Sequence, residues 1–398
     1  MVLDILALLM AALACAGLGQ AVAGWLCLAR FAARPMAAET RALPAITVLK
    51  PLHGDEPMLE AALATVCAQD YPRWQVVFGV QNPADPAIAV VERLKARFPA
   101  CDIALVVDDR HHGRNRKVGN LINMLPMATH DVLVIADSDL HVRPDYLRRL
   151  ANALEQPGTG LVTTLYAGLP ASAAMAAALG ATQITHGFLP GAVLARAMGR
   201  EDCLGATMCL RRDMLDRIGG LHALVAHLAD DNMLGQLVRA QGQHVRLAST
   251  VPLTTVPETG LRALFSHELR WSRTIRALVP VAHALSVLQY PLFWGALAIL
   301  LSGCAVWAVG LFGIVWLLRA VAGAGIDRVL DRLHPGLEFS CPVWLLPLRD
   351  ALSVAVLFAG HTGRRVEWRG QTLQADTPPP LAKPKTEFRS TDFALPRD

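Results

Sequence analysis

The sequence predicts an α/β unit held to a membrane by apolar helices on both sides of it. Three observations carry this. Between about residues 45 and 260, short β-branched runs alternate with segments of helical spacing, the pattern of a doubly wound parallel sheet. Polar and charged residues recur where a strand run ends. Flanking that region are nearly uncharged stretches, long enough to cross a bilayer at roughly 20 residues per span.

Composition agrees. Of the 398 residues 53% are hydrophobic, and the mean hydropathy is +0.37, which sets the chain apart from ordinary soluble domains. A net charge of +4 is too mild to suggest a nucleic-acid partner, although arginines beside the apolar segments suit an anionic lipid surface. The eight cysteines show no Cys-x-x-Cys spacing and read as free thiols of a reducing compartment, not as disulfides or a zinc site.

The apolar run from about Ile5 to Leu28 is interrupted only by Gln20 and preceded by Asp4 instead of Lys or Arg. It is therefore expected to be a retained anchor over residues 1–29, not a cleaved signal. Arg30, Arg34, Arg41 and Lys50 follow, placing the downstream side in the cytoplasm by the positive-inside rule. Strands are expected at 46–49, 74–80, 103–107 and 132–136, with helices at 58–68 and 87–98 between them.

Each strand delivers chemistry to its carboxyl end, where ligands of open α/β sheets bind. The first ends in Lys50-Pro51, the second in Asn82-Pro83-Ala84-Asp85-Pro86, the third in Asp108-Asp109-Arg110 and the fourth in Asp137-Ser138-Asp139. Two carboxylates one residue apart suit a hard divalent cation that shares its remaining positions with water and substrate phosphates. Turn chemistry also favours Asp-Ser-Asp. Asp85 ahead of Pro86 reads equally as a helix cap or as a uracil or ribose contact. The paired His111-His112 fit a solvated loop. In the segment 113–120, Arg116 and Lys117 open a helix beside glycines, an arrangement suited to a diphosphate.

Further on, a strand is expected at 161–165 and an alanine-rich helix at 171–185, broken by His186-Gly187-Phe188-Leu189-Pro190. The small-residue stretch from there to Met198 fits a surface on lipid or the lining of an acceptor cavity, which makes His186 an acceptor-side candidate. A strand at 205–210 and a helix at 211–218, ended by Gly219-Gly220, come next. Asp230 and Asp231 precede the amphipathic helix 233–239, and are either a cap or a catalytic carboxylate able to deprotonate an alcohol. Arg270 and Trp271 lie in a basic amphipathic helix over 261–281, an interfacial anchor that is also placed to close a site.

Residues 282–322 suggest two spans with a break at Ser302-Gly303. The third apolar stretch, 340–361, holds Arg349-Asp350 near its middle; mid-bilayer charge is costly, so a re-entrant or interfacial helix is favoured over a crossing. The Pro- and Lys-rich tail, 376–398, is expected to be disordered.

Taken in order, Lys50-Pro51-Leu52, Gln69-Asp70-Tyr71-Pro72, Val80 to Ala87, Asp137-Ser138-Asp139, Ala229-Asp230-Asp231 and His267-Glu268-Leu269-Arg270-Trp271 resemble the ceramide glucosyltransferase family, of the family 21 type. Within it the chain looks most like the bacterial branch associated with hopanoid biosynthesis. The resemblance implies an α/β glycosyltransferase-A (nucleotide-diphospho-sugar transferase) domain over 45–260, with an N-terminal transmembrane helix and C-terminal transmembrane or re-entrant helices. It also implies an inverting transfer of glucose or N-acetylglucosamine from a UDP-sugar to a lipid hydroxyl, at the cytoplasmic face of a bacterial inner membrane. Asp137 and Asp139 would hold Mg²⁺ or Mn²⁺, Asp231 would be the general base, and Arg270 and Trp271 would contact diphosphate and acceptor. Lys50, Pro51, Asn82, Asp85, Lys117 and Asp230 fall on the nucleotide-sugar side, His186 and His267 on the acceptor side. Three positions depart from the family pattern. Asn82 stands where the first Asp of Asp-x-x-Asp-Pro is usual, His267 where Gln or Arg is, and Asn232 where an aromatic is common. Two other functions fit the same residues: transfer to a polyprenyl phosphate, or a silent scaffold that binds lipid or sugar nucleotide.

Overall fold

A computed structural model describes residues 1–34, 43–337, 339, 342–363, 365–368 and 371–374; the 376–398 tail lies outside them. The chain opens with the long apolar helix α1 (Val2–Ala32). It then alternates through β1 (Ile46–Pro51), α2 (Leu59–Cys67), β2 (Trp74–Val80), α3 (Ala87–Arg97), β3 (Asp102–Val107), α4 (Arg116–Met124) and β4 (Val132–Ala136). There follow β5 (Leu140–His141), α5 (Tyr146–Leu154), β6 (Thr159–Thr163), β7 (Ala167–Pro170), α6 (Met175–Thr182), α7 (Leu189–Ala197), β8 (Thr207–Arg211), α8 (Arg212–Arg217), α9 (Asp230–Ala240), β9 (His244–Leu247) and β10 (Leu253–Val256). The carboxy-terminal part comprises α10 (Leu261–Leu278), α11 (Pro280–Leu285), α12 (Pro291–Leu301), α13 (Val306–Leu333), α14 (Leu346–Gly360) and the hairpin β11 (Arg365–Trp368) and β12 (Gln371–Gln374).

Seven strands form the main sheet in the order β3-β2-β1-β4-β8-β6-β9. β1 lies between β2 and β4 and is parallel to both. The chain winds outward from β1 to β3, then returns on the far side of β1 as β4. The strand order therefore reverses between β1 and β4, where a crevice opens beyond their carboxyl ends. Alternation predicted a wholly parallel sheet, but β8 runs antiparallel to β4 and β6. The chain reaches β8 after an excursion through several elements, not through a single crossover helix, so nothing forces it to keep the direction of β4.

Alternate side chains of the strands supply two cores. Val48, Val76, Phe78 and Val134 pack with Leu63, Val91 and Leu150 of α2, α3 and α5. Leu49, Val77, Leu133 and Ile135 pack with Leu121 and Leu234 of α4 and α9. With both faces covered, the strands read as continuous apolar runs. A smaller sheet, β5-β10-β7, carries the chain away from the end of β4. Its residues Ala167 and Leu253 share a core with Leu28 and Phe31 of α1 and with Ile326 and Leu330 of α13. The apolar helices thus grip the sheet next to the crevice.

Among the described residues three helices are, by length and composition, apolar enough to cross a membrane: Val2–Ala32, Val306–Leu333 and Val343–Gly360. The pair Pro280–Gln289 and Pro291–Leu301 passes the same test together but is bent by 66° at a short break, the form of a broken span or a re-entrant loop. Arg349 and Asp350 do not argue against a crossing by α14, because both are buried in ion pairs, with Glu268 and Arg319. α13 continues beyond the expected end of its span for the same reason: Arg319 pairs with Asp350, and Asp327 with His186. The break expected at residues 186–190 is absent. A π-helical turn, Gln183–Phe188, joins α6 to α7, and Pro190 sits in the first turn of α7, where a missing N–H costs little.

Close packing of α1 on α13 depends on Gly325, where any Cβ would run into the Trp25 indole. Replacing Gly325 by Val should cost about 1–3 kcal/mol through overpacking. Gly310→Val, where no atom lies within 4 Å of the added carbon, should stay within about 0.5 kcal/mol of wild type. Unfolding of the two purified variants in detergent would show the contrast; equal stabilities would refute the helix contact.

Candidate active site

Asp137, Ser138 and Asp139 bridge the end of β4 and the start of β5, so both sheets hold them. The Asp137 N–H donates to the Ala206 carbonyl at 3.2 Å, and the Thr255 N–H to the Asp139 carbonyl at 3.2 Å. Thr254 of β10 donates its hydroxyl to Asp139 Oδ2 at 2.5 Å. The Ser138 hydroxyl donates to Glu56 Oε2 at 2.5 Å. Beneath them Lys50, wholly buried in β1, donates from Nζ to the Asp137 carbonyl at 2.7 Å. Burial pulls the Lys50 ammonium down to about 8, opposed by the nearby charges of Asp139 and Asp137. Burial and the neighbouring Asp137 push Asp139 up to about 6 against the Thr254 hydrogen bond.

A second cation approaches from α4. Asn115 caps that helix by accepting from the Val118 N–H at 3.1 Å, and its amide donates to the His227 carbonyl at 2.9 Å and to Asp230 Oδ1 at 3.2 Å. The cap ties α4 to the start of α9 and sets Lys117 between the two acidic clusters. Lys117 Nζ lies 2.6 Å from Asp137 Oδ1 and 4.0 Å from Asp230 Oδ2. Burial works against its charge, but Asp137 and Asp230 outweigh that and raise it above the ordinary lysine value.

Asp231 heads α9 beside Asp230. Its Oδ1 accepts from the Asn232 N–H at 2.7 Å. Gly205 leaves room for the carboxylate: a Cβ there would stand 2.8 Å from Asp231 Oδ2. Burial, then the charge of Asp230, pushes Asp231 up to about 6, with the Asn232 N–H and Lys117 opposing. Tyr166 is likewise raised, by burial and then by the charges of Asp231, Asp137 and Asp139.

α10 closes on this group. His267 hydrogen bonds Glu258, just beyond β10, and its ring stands edge-on to Trp271 at 4.4 Å. Trp271 packs in a cluster with Tyr166, Phe188, Ile184 and Val256. Burial raises Glu258, but the bond and charge of His267, with the charge of Arg270, bring it below the usual carboxylate range.

The remaining candidates have other surroundings. Asp85 is buried and accepts from the Gly54 N–H at 3.0 Å and from the Ala87 N–H at 2.9 Å, so it braces the loop after β1 and caps α3. Asn82 is exposed and accepts from the Ala84 N–H at 3.0 Å. Pro51 is buried beside Lys50. His186 bonds Asp327 Oδ1 at 2.7 Å and shares no hydrogen bond with the carboxylates; it lines a cavity of about 10 Å³ with Ala21, Arg319 and Gly323. Sequence reasoning missed Glu56, Asn115, Tyr166 and Thr254. Only Asn115 left a signal, as a capping residue ahead of Lys117.

Among the described residues no three His, Cys, Asp or Glu side chains converge to enclose a metal ion. Asp137 and Asp139 still suit one. A small divalent cation uses one or two carboxylates and completes its shell with water and phosphate oxygens, and burial together with the Asp137 charge raises Asp139, a cost that a cation would relieve.

The sheet order, the acidic turn at the switch point and the enclosing helices define a glycosyltransferase-A fold. A mannosyltransferase of Pyrobaculum calidifontis, solved in complex with GDP-Man and Mn²⁺, shares it with a TM-score of 0.52 at 19% identity, over 90% of this chain and 98% of that chain. The chain belongs to glycosyl transferase family 21, whose family model matches residues 7–379. A ceramide glucosyltransferase of Komagataella phaffii is 32% identical over 115 residues, which is 28% of this chain and 23% of that protein. One of Pyricularia oryzae is 22% identical over 414 residues, 82% of this chain and 83% of that protein.

Replacing Lys117 by Met removes the counter-charge shared by Asp137 and Asp230 and should cost about 3–5 kcal/mol at pH 8. Lys117 opposes the rise of Asp231 to about 6, so without it that carboxylate rises further and the folded variant takes up its proton more readily than wild type as pH falls. The deficit should therefore shrink at pH 5. Thermal midpoints of both proteins at pH 8 and pH 5 check this, and a deficit that does not change with pH would contradict it.

Proposed function

We propose that the protein transfers a hexose, glucose or N-acetylglucosamine, from a UDP-sugar to a hydroxyl of a membrane lipid such as a hopanoid polyol or a ceramide, with inversion. The observation that carries this is Asp231: a half-buried carboxylate raised to about 6 beside Asp230, whose partner Lys117 also pairs with Asp137 of the strand-end pair. A base poised near neutrality suits removal of an alcohol proton. Family membership, ceramide glucosyltransferase relatives and the fold shared with a nucleotide-sugar enzyme support the same reading.

In this proposal Asp137 and Asp139 hold Mg²⁺ or Mn²⁺, which when bound stabilises the negative charge of the departing UDP. Lys50 supports the Asp137 carbonyl from below, and Lys117 offers its ammonium to the diphosphate. Asp230 keeps Lys117 in place, while Asn82, Asp85 and Pro51 border the nucleotide. Arg270 and Trp271 close the site over donor and acceptor, with His267 and His186 on the acceptor side. A neutral hydroxyl fits better than a polyprenyl phosphate, because an anionic acceptor needs no base and would meet Asp230 and Asp231. The catalytic unit faces the cytoplasm of a bacterial inner membrane, since it follows the Arg30 and Arg34 end of α1.

Asp231→Asn should lower transfer by about 10²–10⁴-fold and leave UDP-sugar binding unchanged. In the wild type, transfer should fall tenfold per pH unit below about 6, where Asp231 takes up its proton, and chelation should stop it until Mg²⁺ or Mn²⁺ is restored. Radiolabelled sugar transfer in native membranes, with calorimetry of donor binding, measures both. Full turnover by the Asn variant would defeat the base assignment; donor binding without any transfer by the wild type would favour a silent scaffold.

A further inference from the structure

Arg349 is, with Asp350, one of two almost fully enclosed charges in α14. It lies in the first turn of α14, is 1% exposed, and has every nitrogen engaged. Nη1 and Nη2 each donate to one oxygen of Glu268 at 2.7 Å, a bidentate fork. Nη1 also reaches the Leu179 carbonyl of α6 at 3.3 Å, and Nε donates to Ser353 Oγ at 3.1 Å. Ser353 in turn donates to Gln183 Oε1, at the start of the π-helical turn, at 3.0 Å. One guanidinium therefore joins α10, α6, α14 and, through Ser353, the π-helical turn.

α10 and α14 are fastened a second time. Arg273 Nη2 donates to the Thr362 carbonyl at 2.9 Å, and Arg276 donates to the carbonyls of His361 at 2.9 Å and Gly363 at 2.7 Å. These guanidinium groups satisfy carbonyls that the end of α14 leaves open. Between the two fastenings Gly360 lets the backbones approach, since a Cβ there would strike the Ser272 hydroxyl. Arg270 and Trp271 stand two and three residues beyond Glu268, within one helical turn.

We propose that the Glu268–Arg349 fork is a positioning device: it sets the rotation of α10 so that Trp271 stays packed against the Ile184 and Val256 cluster and His267 stays on Glu258. α14 thereby acts on the reaction without supplying a group to it. A planar two-point bond fixes an angle that a single ammonium contact leaves free, and the buried site excludes water that would otherwise compete. Its neighbour His267, about 100° further round α10, fastens the helix to Glu258 just beyond β10, the strand whose Thr254 holds Asp139. Successive residues thus tie the Arg-Trp pair to the acidic turn and to the membrane helices.

This inference rests on the proposed transfer reaction, so the test carries one readout that does not need it. Full-length Arg349→Lys, which keeps the charge and loses the fork, and the double variant Glu268→Met with Arg349→Met, which removes both buried charges at similar volume, are compared with wild type in nanodiscs. Both should show kcat at least tenfold lower with donor KM within twofold, and amide exchange of peptides covering 261–278 at least tenfold faster while β1 to β4 stay protected. Wild-type kcat in both variants would overturn the proposal, as would a loss of kcat with unchanged exchange over 261–278. If Arg349→Lys does not fold, the double variant decides alone. If the wild type transfers no sugar, the proposed function fails while the exchange measurement still decides whether the fork fixes α10.

Discussion

The crevice is organised by a shortage of positive charge. Asp137, Asp139, Asp230 and Asp231 gather at the ends of β4 and the start of α9 with two ammonium groups among them, those of Lys50 and Lys117. Carboxylates taken out of water are tolerable only with compensation, and among the described residues these four, with Glu56 on Ser138, outnumber the two ammonium groups, leaving the difference to be met by proton uptake or by a ligand. Asp139 and Asp231, both raised to about 6, show where the deficit falls. One lies in the pair suited to a metal ion, the other stands apart from it. The same imbalance that invites a cation on one side leaves a carboxylate with a strong claim on a proton on the other.

That separation is a product of topology. β4 and α9 meet because β8 turns back against β4, setting the β8 to α9 connection across the crevice from the acidic turn. Lys117 arrives from a third direction through the Asn115 cap of α4, whose amide bonds Asp230 itself. The small β5-β10-β7 sheet then takes the chain from Asp139 toward the apolar helices, and Thr254 on β10 holds that aspartate. The acidic turn is a junction between the nucleotide-type sheet and the membrane-facing part of the protein.

Much of this was legible in the chain, and the rest was hidden for identifiable reasons. The strands of the parallel half were plain because both faces are buried, leaving unbroken apolar runs such as Val132 to Ala136 that end in polar turns. The polarity of β8 was not, since strand direction leaves no mark on local composition. Asp137, Asp139 and Asp231 could be named from spacing and resemblance, but Glu56, Tyr166 and Thr254 are joined to them only by folding. Thr254, for instance, is 115 residues from the carboxylate it holds. Asp85 was balanced between cap and ligand contact, and its bonds to Gly54 and Ala87 show that it does brace the backbone.

The buried charges among the described residues of the carboxy-terminal apolar helices follow one rule. Arg319 meets Asp350, Arg349 meets Glu268, and Asp327 meets His186, each pair joining two different elements. A charge in an apolar helix is costly alone, so the partner's position becomes obligatory, and a pair that stabilises little in total can still choose one arrangement over its neighbours. Apolar packing between smooth helices offers weak discrimination among rotations, and Ala- and Gly-rich stretches of α13 offer less still. The ion pairs supply what packing lacks. Two of the three reach elements bordering the Tyr166 cluster: His186 in the π-helical turn, and Glu268 in α10. The apolar segments therefore do more than pack against the α/β unit, because their buried charges fix how α10 and the π-helical turn meet it.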